Sequence, residues 1–124
     1  MTKISIINQS NQEIIASGVL GESIINIEGN YYFKPELVDF SNTVMEDEAY
    51  FCPVKRSSCD YFYLISAEGT KSEREMCWIY DEISNGLFKQ IAGLVGFYSK
   101  DVARNGVNIV LEEVNATVSE GLQE

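Results

Sequence analysis

The sequence predicts a mainly β domain, bordering on α+β, made of antiparallel strands with one helix at about residues 86–98. Three observations carry this reading. Short runs alternate apolar and polar residues between turn-forming stretches. One hairpin, 60–67 with 74–80, holds strand-favouring side chains on both sides of a Gly-containing loop. A single stretch repeats its apolar residues at helical spacing.

The runs KISII (3–7) and EIIAS (13–17) flank the polar stretch NQSNQ and read as an opening hairpin, and SIINIE (23–28) follows Gly21 as a third strand. The segment EGNYYFKPELVDF (28–40) turns at Gly29-Asn30, runs extended into Lys34-Pro35 and continues apolar at Leu37, Val38 and Phe40. The proline marks an edge or a bend. In the second hairpin, DYFYLISA and REMCWIY close around a loop at Gly69–Ser72. That register sets Tyr61 opposite Tyr80 and Tyr63 opposite Trp78. Alternation then places these four rings on one face, with Phe62, Leu64, Cys77 and Ile79 on the other.

Leu87, Phe88, Ile91, Leu94, Val95 and Tyr98 recur at helical spacing, with Ser84 or Asn85 available as the N-cap. Gly93 and Gly96 each cost about 1 kcal/mol in a helix interior, so close packing on a sheet is expected as compensation. Val107, Ile109 and Leu111 alternate as a last strand. Residues 1–112 read as one globular domain and 113–124 as a loose acidic tail.

The 124 residues are 45% apolar and 23% charged, ordinary globular usage and enough chain to bury a core without metals or staples. The start has only a four-residue apolar stretch and no run approaches 18 apolar residues, so a cytoplasmic protein with no membrane contact is expected. Three cysteines without a C-x-x-C pattern are expected to be reduced thiols. Nineteen acids against nine bases leave a net charge of −10, which argues against nucleic acid as a partner. There is no histidine, which removes the commonest general base, the commonest metal ligand and any His-activated nucleophile. Neither a metal nor a cofactor is expected.

The densest chemistry lies in AYFCPVKRSSCDYFYL (49–64). Lys55 and Arg56 are the chain's one pair of adjacent cations, three and four residues after Cys52. Nearby cations stabilise a thiolate, so Cys52 is a candidate nucleophile with Lys55 as its partner. Against that stands a small buried side chain at a bend, the placement free cysteine most often takes, and a disulfide with Cys59 is conceivable but disfavoured by a cytoplasmic setting. Lys55 and Arg56 also suit the carboxylate or phosphate of a small ligand. Tyr31, Tyr32, Phe33, Tyr61, Tyr63, Trp78 and Tyr80 could wall a concave site or simply form core. The acid run Glu46-Asp47-Glu48 reads as a solvated loop.

These residues also resemble a family. EGNYYFKPELV resembles the E-G-N-x-Y-F-x-P-E-x-V segment of a small bacterial family known as domain of unknown function 427, also labelled nucleotidyltransferase-like. In the same order, CPVKR resembles its C-P-W-K-G, CWIYDE its A-W-Y-Y-P and FKQIAGLVGFY its A-x-x-I-A-G-Y-V-A-F, a span from residue 4 to about 102. Val54, Arg56 and Asp81 depart from the pattern, where the family has tryptophan, glycine and proline. The resemblance implies a compact, tent-like antiparallel two-sheet domain with one helix. It also implies that Tyr32, Phe33, Cys52, Lys55, Trp78 and Tyr80 belong to a shared set. No nucleotidyltransferase signature stands in these residues.

The leading functional expectation is a pocket for a small molecule, walled by Tyr32, Tyr61, Tyr63, Trp78 and Tyr80, with Lys55 or Arg56 holding an anionic group. The alternatives are a thiol-dependent enzyme using Cys52 and a protein-interaction module.

Overall fold

The computed structural model describes residues 1–52, 57–80 and 86–114. Nine strands run through them: β1 (Thr2–Asn8), β2 (Ile14–Val19), β3 (Ile24–Ile27), β4 (Asn30–Phe33), β5 (Thr43–Cys52), β6 (Ser57–Leu64), β7 (Cys77–Tyr80), β8 (Val95–Tyr98) and β9 (Val107–Glu113). They form two antiparallel sheets, one of three strands in the order β2-β1-β9 and one of six in the order β3-β4-β8-β7-β6-β5. The mainly β, two-sheet class is therefore what the chain adopts. No helix among the described residues is long and apolar enough to cross a membrane.

The sheets share one apolar cluster because each strand's inward positions alternate with outward ones. Ile4, Ile6, Ala16 and Val107 of the small sheet join Ile24, Tyr31, Phe33, Leu64, Cys77, Val95 and Phe97 of the large one. The opposite face of the large sheet buries Tyr32, Cys59, Trp78 and Tyr80 against Ile91, with Ala92 and Leu94 packed alongside. The large sheet is thus covered on both faces, and its central strands are apolar on both.

The expected helix at 86–98 is a correction. Only Gly86–Ile91 is helical, as a 3-10 helix, and Val95–Tyr98 is the strand between β4 and β7. Gly93 adopts φ +79°, a left-handed conformation that ends the helical run, and its N–H donates to the Tyr80 carbonyl at 2.9 Å. The helical-looking spacing arose because a lid over one face and a strand within the sheet follow each other directly. Gly96 shows why a strand wins there. Tyr32, Gly96 and Trp78 lie in one cross-strand row, and a Cβ on Gly96 would stand 2.7 Å from both Trp78 Cε2 and Tyr32 Cε2. Its absence lets the two rings meet edge to face, centroids 6.3 Å apart, with Trp78 Nε1 donating to Tyr32 Oη at 3.2 Å.

Registers differ from expectation in informative ways. The β3–β4 turn is Glu28-Gly29, both at positive φ, one residue earlier than read. In the second hairpin, Cys59 opposes Tyr80 and Tyr61 opposes Trp78, two residues from the expected pairing. The chain turns earlier, at Ser66–Thr70, and then bulges through residues 72–75 before Met76 N–H bonds the Phe62 carbonyl. An even shift keeps every side chain on its expected face. The acid run Glu46-Asp47-Glu48 lies in β5, not in a loop, at an irregularity between Glu46 and Tyr50. At the end of the chain, β9 runs through Glu113, and Val114 N–H bonds the Met1 carbonyl.

Gly96→Ala should lower stability by about 1–3 kcal/mol, the usual cost of overpacking a filled core. Urea unfolding followed by the fluorescence of Trp78, the sole tryptophan, reads this directly. An unchanged midpoint would mean that the row has slack.

Candidate functional site

Of the predicted pocket walls, the structure brings Tyr32, Tyr61, Trp78 and Tyr80 to one face of the large sheet, as the alternation required. Tyr32, Trp78 and Tyr80 are 1%, 6% and 7% exposed. These three rings fill a packed layer beneath the segment 86–94, with Tyr61 half-buried against it. Tyr63 sits farther along the same strand face, buried, with the Lys71 ammonium 4.4 Å from its ring centroid. Cys52 pairs with Ser57 at the end of the sheet where Cys59 meets Tyr80. Its description is confined to the backbone, and Lys55 and Arg56 lie outside the described residues. Cys59 and Cys77 are buried, and burial pushes the Cys77 thiol far up from its ordinary range.

A polar cluster closes the ring layer at its other end. The Tyr98 ring packs on Trp78, centroids 4.9 Å apart, and its hydroxyl donates to Glu75 and accepts from Arg74 at 3.3 Å. Arg74 also pairs with Glu75 at 3.7 Å. Burial, then the bond to Glu75 and its charge, raise the Tyr98 phenol, while Arg74 opposes them.

The open concave surface lies at the tips of the hairpins. One cavity of about 510 Å³ is bounded by the β1–β2 turn at Asn8 and Ser10, the β6–β7 loop at Ser66–Glu73, and Arg104 and Gly106 before β9. A second, about 530 Å³, adjoins it and shares Asn8, Ser10, Ile65 and Ser66, with Ser41–Thr43 as its far wall. Both fall in the size range of small-molecule sites.

Hydrogen bonds tie the bounding loops to one another. Gln9 N–H donates to the Gly106 carbonyl at 2.9 Å, and Arg74 N–H to the Arg104 carbonyl at 3.1 Å. Ser72 Oγ accepts from Leu64 N–H at 3.2 Å and donates to the Arg74 carbonyl at 2.9 Å, and Ser66 Oγ accepts from Thr70 N–H at 3.1 Å. Two cations stand on this groove. Lys71 pairs with Glu46, and Arg104, held at φ +68°, pairs with Glu73 at 3.4 Å. Among the described residues no three His, Cys, Asp or Glu side chains gather as a metal-binding group.

Sequence reasoning found the ring face but missed the groove. Its residues come from positions 8–11, 41–43, 64–73 and 104–106, and none forms a local motif. The sole signal was the density of Ser, Thr, Asn and Gly in the loops between strands, which reads as ordinary turn chemistry.

Two outcomes follow from this geometry. Iodoacetamide at pH 8 should leave Cys59 and Cys77 unmodified in the folded protein and label both after denaturation, read by peptide mass spectrometry. Rapid native labelling of either would contradict the packing. A phenol raised in the folded state contributes stability that is complete below the unfolded value, about 10, and lost as pH rises through the folded one. Urea unfolding from pH 8 to 12 should therefore show a shallower alkaline decline for Tyr98→Phe than for the wild type.

A comparison with curated proteins found no match. The family model described as a domain of unknown function (DUF427), named NTP_transf_9, matches residues 22–108. That span takes in the whole six-stranded sheet, with the ring face and the groove walls at 41–43, 64–73 and 104–106. β1, β2 and most of β9 fall outside it. The match begins later than the resemblance seen from residue 4 and ends just past it. The chain belongs to the DUF427 family.

Proposed function

We propose that this chain is a small-molecule-binding domain of the bacterial cytoplasm, with its ligand in the groove at the hairpin tips and held there through an anionic group. The observation that carries this reading is the open groove of about 510 Å³ with Lys71 and Arg104 on its wall, bounded by loops that are cross-linked by hydrogen bonds. Loops ordered in advance spare a ligand the cost of ordering them. Two cations grouped on a chain of net charge −10 give an anion a local seat. The expected aromatic wall with an anion contact from Lys55 or Arg56 has a partial counterpart here in Tyr63, one of the expected rings, with Lys71 over it. The buried layer of Tyr32, Trp78 and Tyr80 serves in this reading as the rigid floor that fixes the strands. The buried, free thiol at Cys77 fits a reducing compartment.

The test is a titration of ¹⁵N-labelled protein with a mixed set of small carboxylates and phosphate esters, followed by amide shifts. The expected result is movement of Ser10, Ser66, Ser72 and Gly106, weakened several-fold by Lys71→Gln or Arg104→Gln and unchanged by Cys52→Ser. These two cations make exposed pairs worth little to stability, so the variants should stay folded. Shifts confined to the Trp78 indole and the Cys52 end, or no shift at millimolar ligand, would overturn the assignment.

A further inference from the structure

The two adjoining cavities share an unusual wall residue. Asn8 is only 9% exposed and lines both. Its side-chain oxygen accepts twice from Ser10, from the backbone N–H at 2.9 Å and from the hydroxyl at 2.8 Å. A backbone N–H can only donate, so this contact fixes which end of the amide faces the turn. The Asn8 backbone is engaged as well, donating to the Glu13 carbonyl at 2.9 Å and accepting from Gln12 N–H at 2.8 Å. The Nδ2 group is left with no protein acceptor among the described residues. A donor on the groove wall with no protein acceptor is available to an acceptor on a ligand.

The halves on either side of Asn8 differ in chemistry. The first carries two cations, Lys71 and Arg104, each paired with a carboxylate, Glu46 and Glu73, of which Glu73 also lines the cavity. The second is lined by the neutral amides and hydroxyls of Asn11, Ser41, Asn42 and Thr43, with Glu68 as its one charge. An anion finds cations to engage in the first half, where it competes with Glu46 and Glu73 for them, and meets only Glu68 in the second, whereas hydroxyl groups can donate to Glu68 and exchange hydrogen bonds with the neutral side chains.

Resting on the binding reading above, we infer that the two cavities are one site straddling Asn8, and that it takes a hydroxylated organic anion, a sugar phosphate or a sugar acid. The charged group lies at Lys71 and Arg104, the hydroxylated body lies along Asn42 and Ser41, and a ligand oxygen accepts from Asn8 Nδ2. The neutral body supplies selectivity, because a site with buried hydrogen-bonding groups rejects a ligand that leaves them unpaired.

The experiment titrates the labelled full chain with glucose 6-phosphate, gluconate, glucose and inorganic phosphate. The expected result is that glucose 6-phosphate or gluconate binds at least tenfold more tightly than glucose or phosphate and moves amides on both walls, near Gly106 and near Asn42. Whichever of the two binds more tightly names the head group. Asn8→Asp keeps the acceptor for Ser10 and removes the donor, and should weaken that binding at least tenfold. Asn42→Ala, at an exposed side chain, should weaken the hydroxylated anion severalfold while leaving phosphate unaffected, and it stands in should Asn8→Asp fail to fold. Phosphate binding as tightly as its ester, glucose binding as tightly as either anion, or full affinity in both variants would overturn this inference and leave the groove a binding site. A groove that responds to the mixed carboxylate and phosphate set but to neither hydroxylated anion would do the same. A groove that responds to none of these compounds would overturn both readings.

Discussion

The meeting of Tyr32 and Trp78 across Gly96 is the contact on which the large sheet depends. Three strands far apart in sequence are fixed in register at one row, because only a glycine in the middle strand lets the rings touch and share a buried hydrogen bond. The consequences run outward from it. Trp78 positions Tyr98 and so the cluster with Glu75 and Arg74, and the same ring layer gives Ile91 its seat and draws the segment 86–94 over the sheet. With one face filled in this way, the other is free to pack Phe33, Phe97, Cys77 and Val95 against the small sheet. Aromatic pairs of this geometry add about 0.5–1.5 kcal/mol each beyond the area they bury.

The large sheet is covered on both faces, by the small sheet on one and by the segment around Ile91 on the other. The concave surface is found where the strands stop, and the loops at that end are long enough to leave a groove between them. Their order comes from the sheets beneath: the bulge at residues 72–75 turns Ser72 toward the backbone of Leu64 and Arg74, Gln9 N–H to Gly106 extends the β1–β9 ladder, and Arg74 N–H to Arg104 ties the loops of the two sheets together. The groove is built jointly by both sheets, although the family match covers mainly the larger.

The buried rings and the cations of the groove lie at different places in the fold. Aromatic area went into cohesion, and the polar, cationic groups stand at the rim. Among the rings expected to wall a site, Tyr63 alone bridges the two, buried against its strand and capped by Lys71. A cation over a buried ring keeps its alkyl stem on apolar surface and its charge in the open groove.

Local pattern determined much of this protein. Alternation marked β1, β2, β3, β6, β7 and β9, and it placed Tyr61, Trp78 and Tyr80 on one face and Phe62, Leu64 and Cys77 on the other, because side-chain direction in a strand has a period of two and survives an even slip in register. Composition alone removed histidine chemistry and disfavoured nucleic acid. Tertiary structure decided the rest. Whether Val95–Tyr98 continues a helix or enters a sheet turned on a gap between Tyr32 and Trp78 that only Gly96 fits, a constraint imposed by residues 64 positions and 18 positions away in the chain. Whether the rings line a pocket or form a layer depended on what covers them. The groove exists only because four separate loops converge, and the distances that make Asn8, Lys71 and Arg104 neighbours of one cavity are set across the fold, where spacing along the chain carries no information.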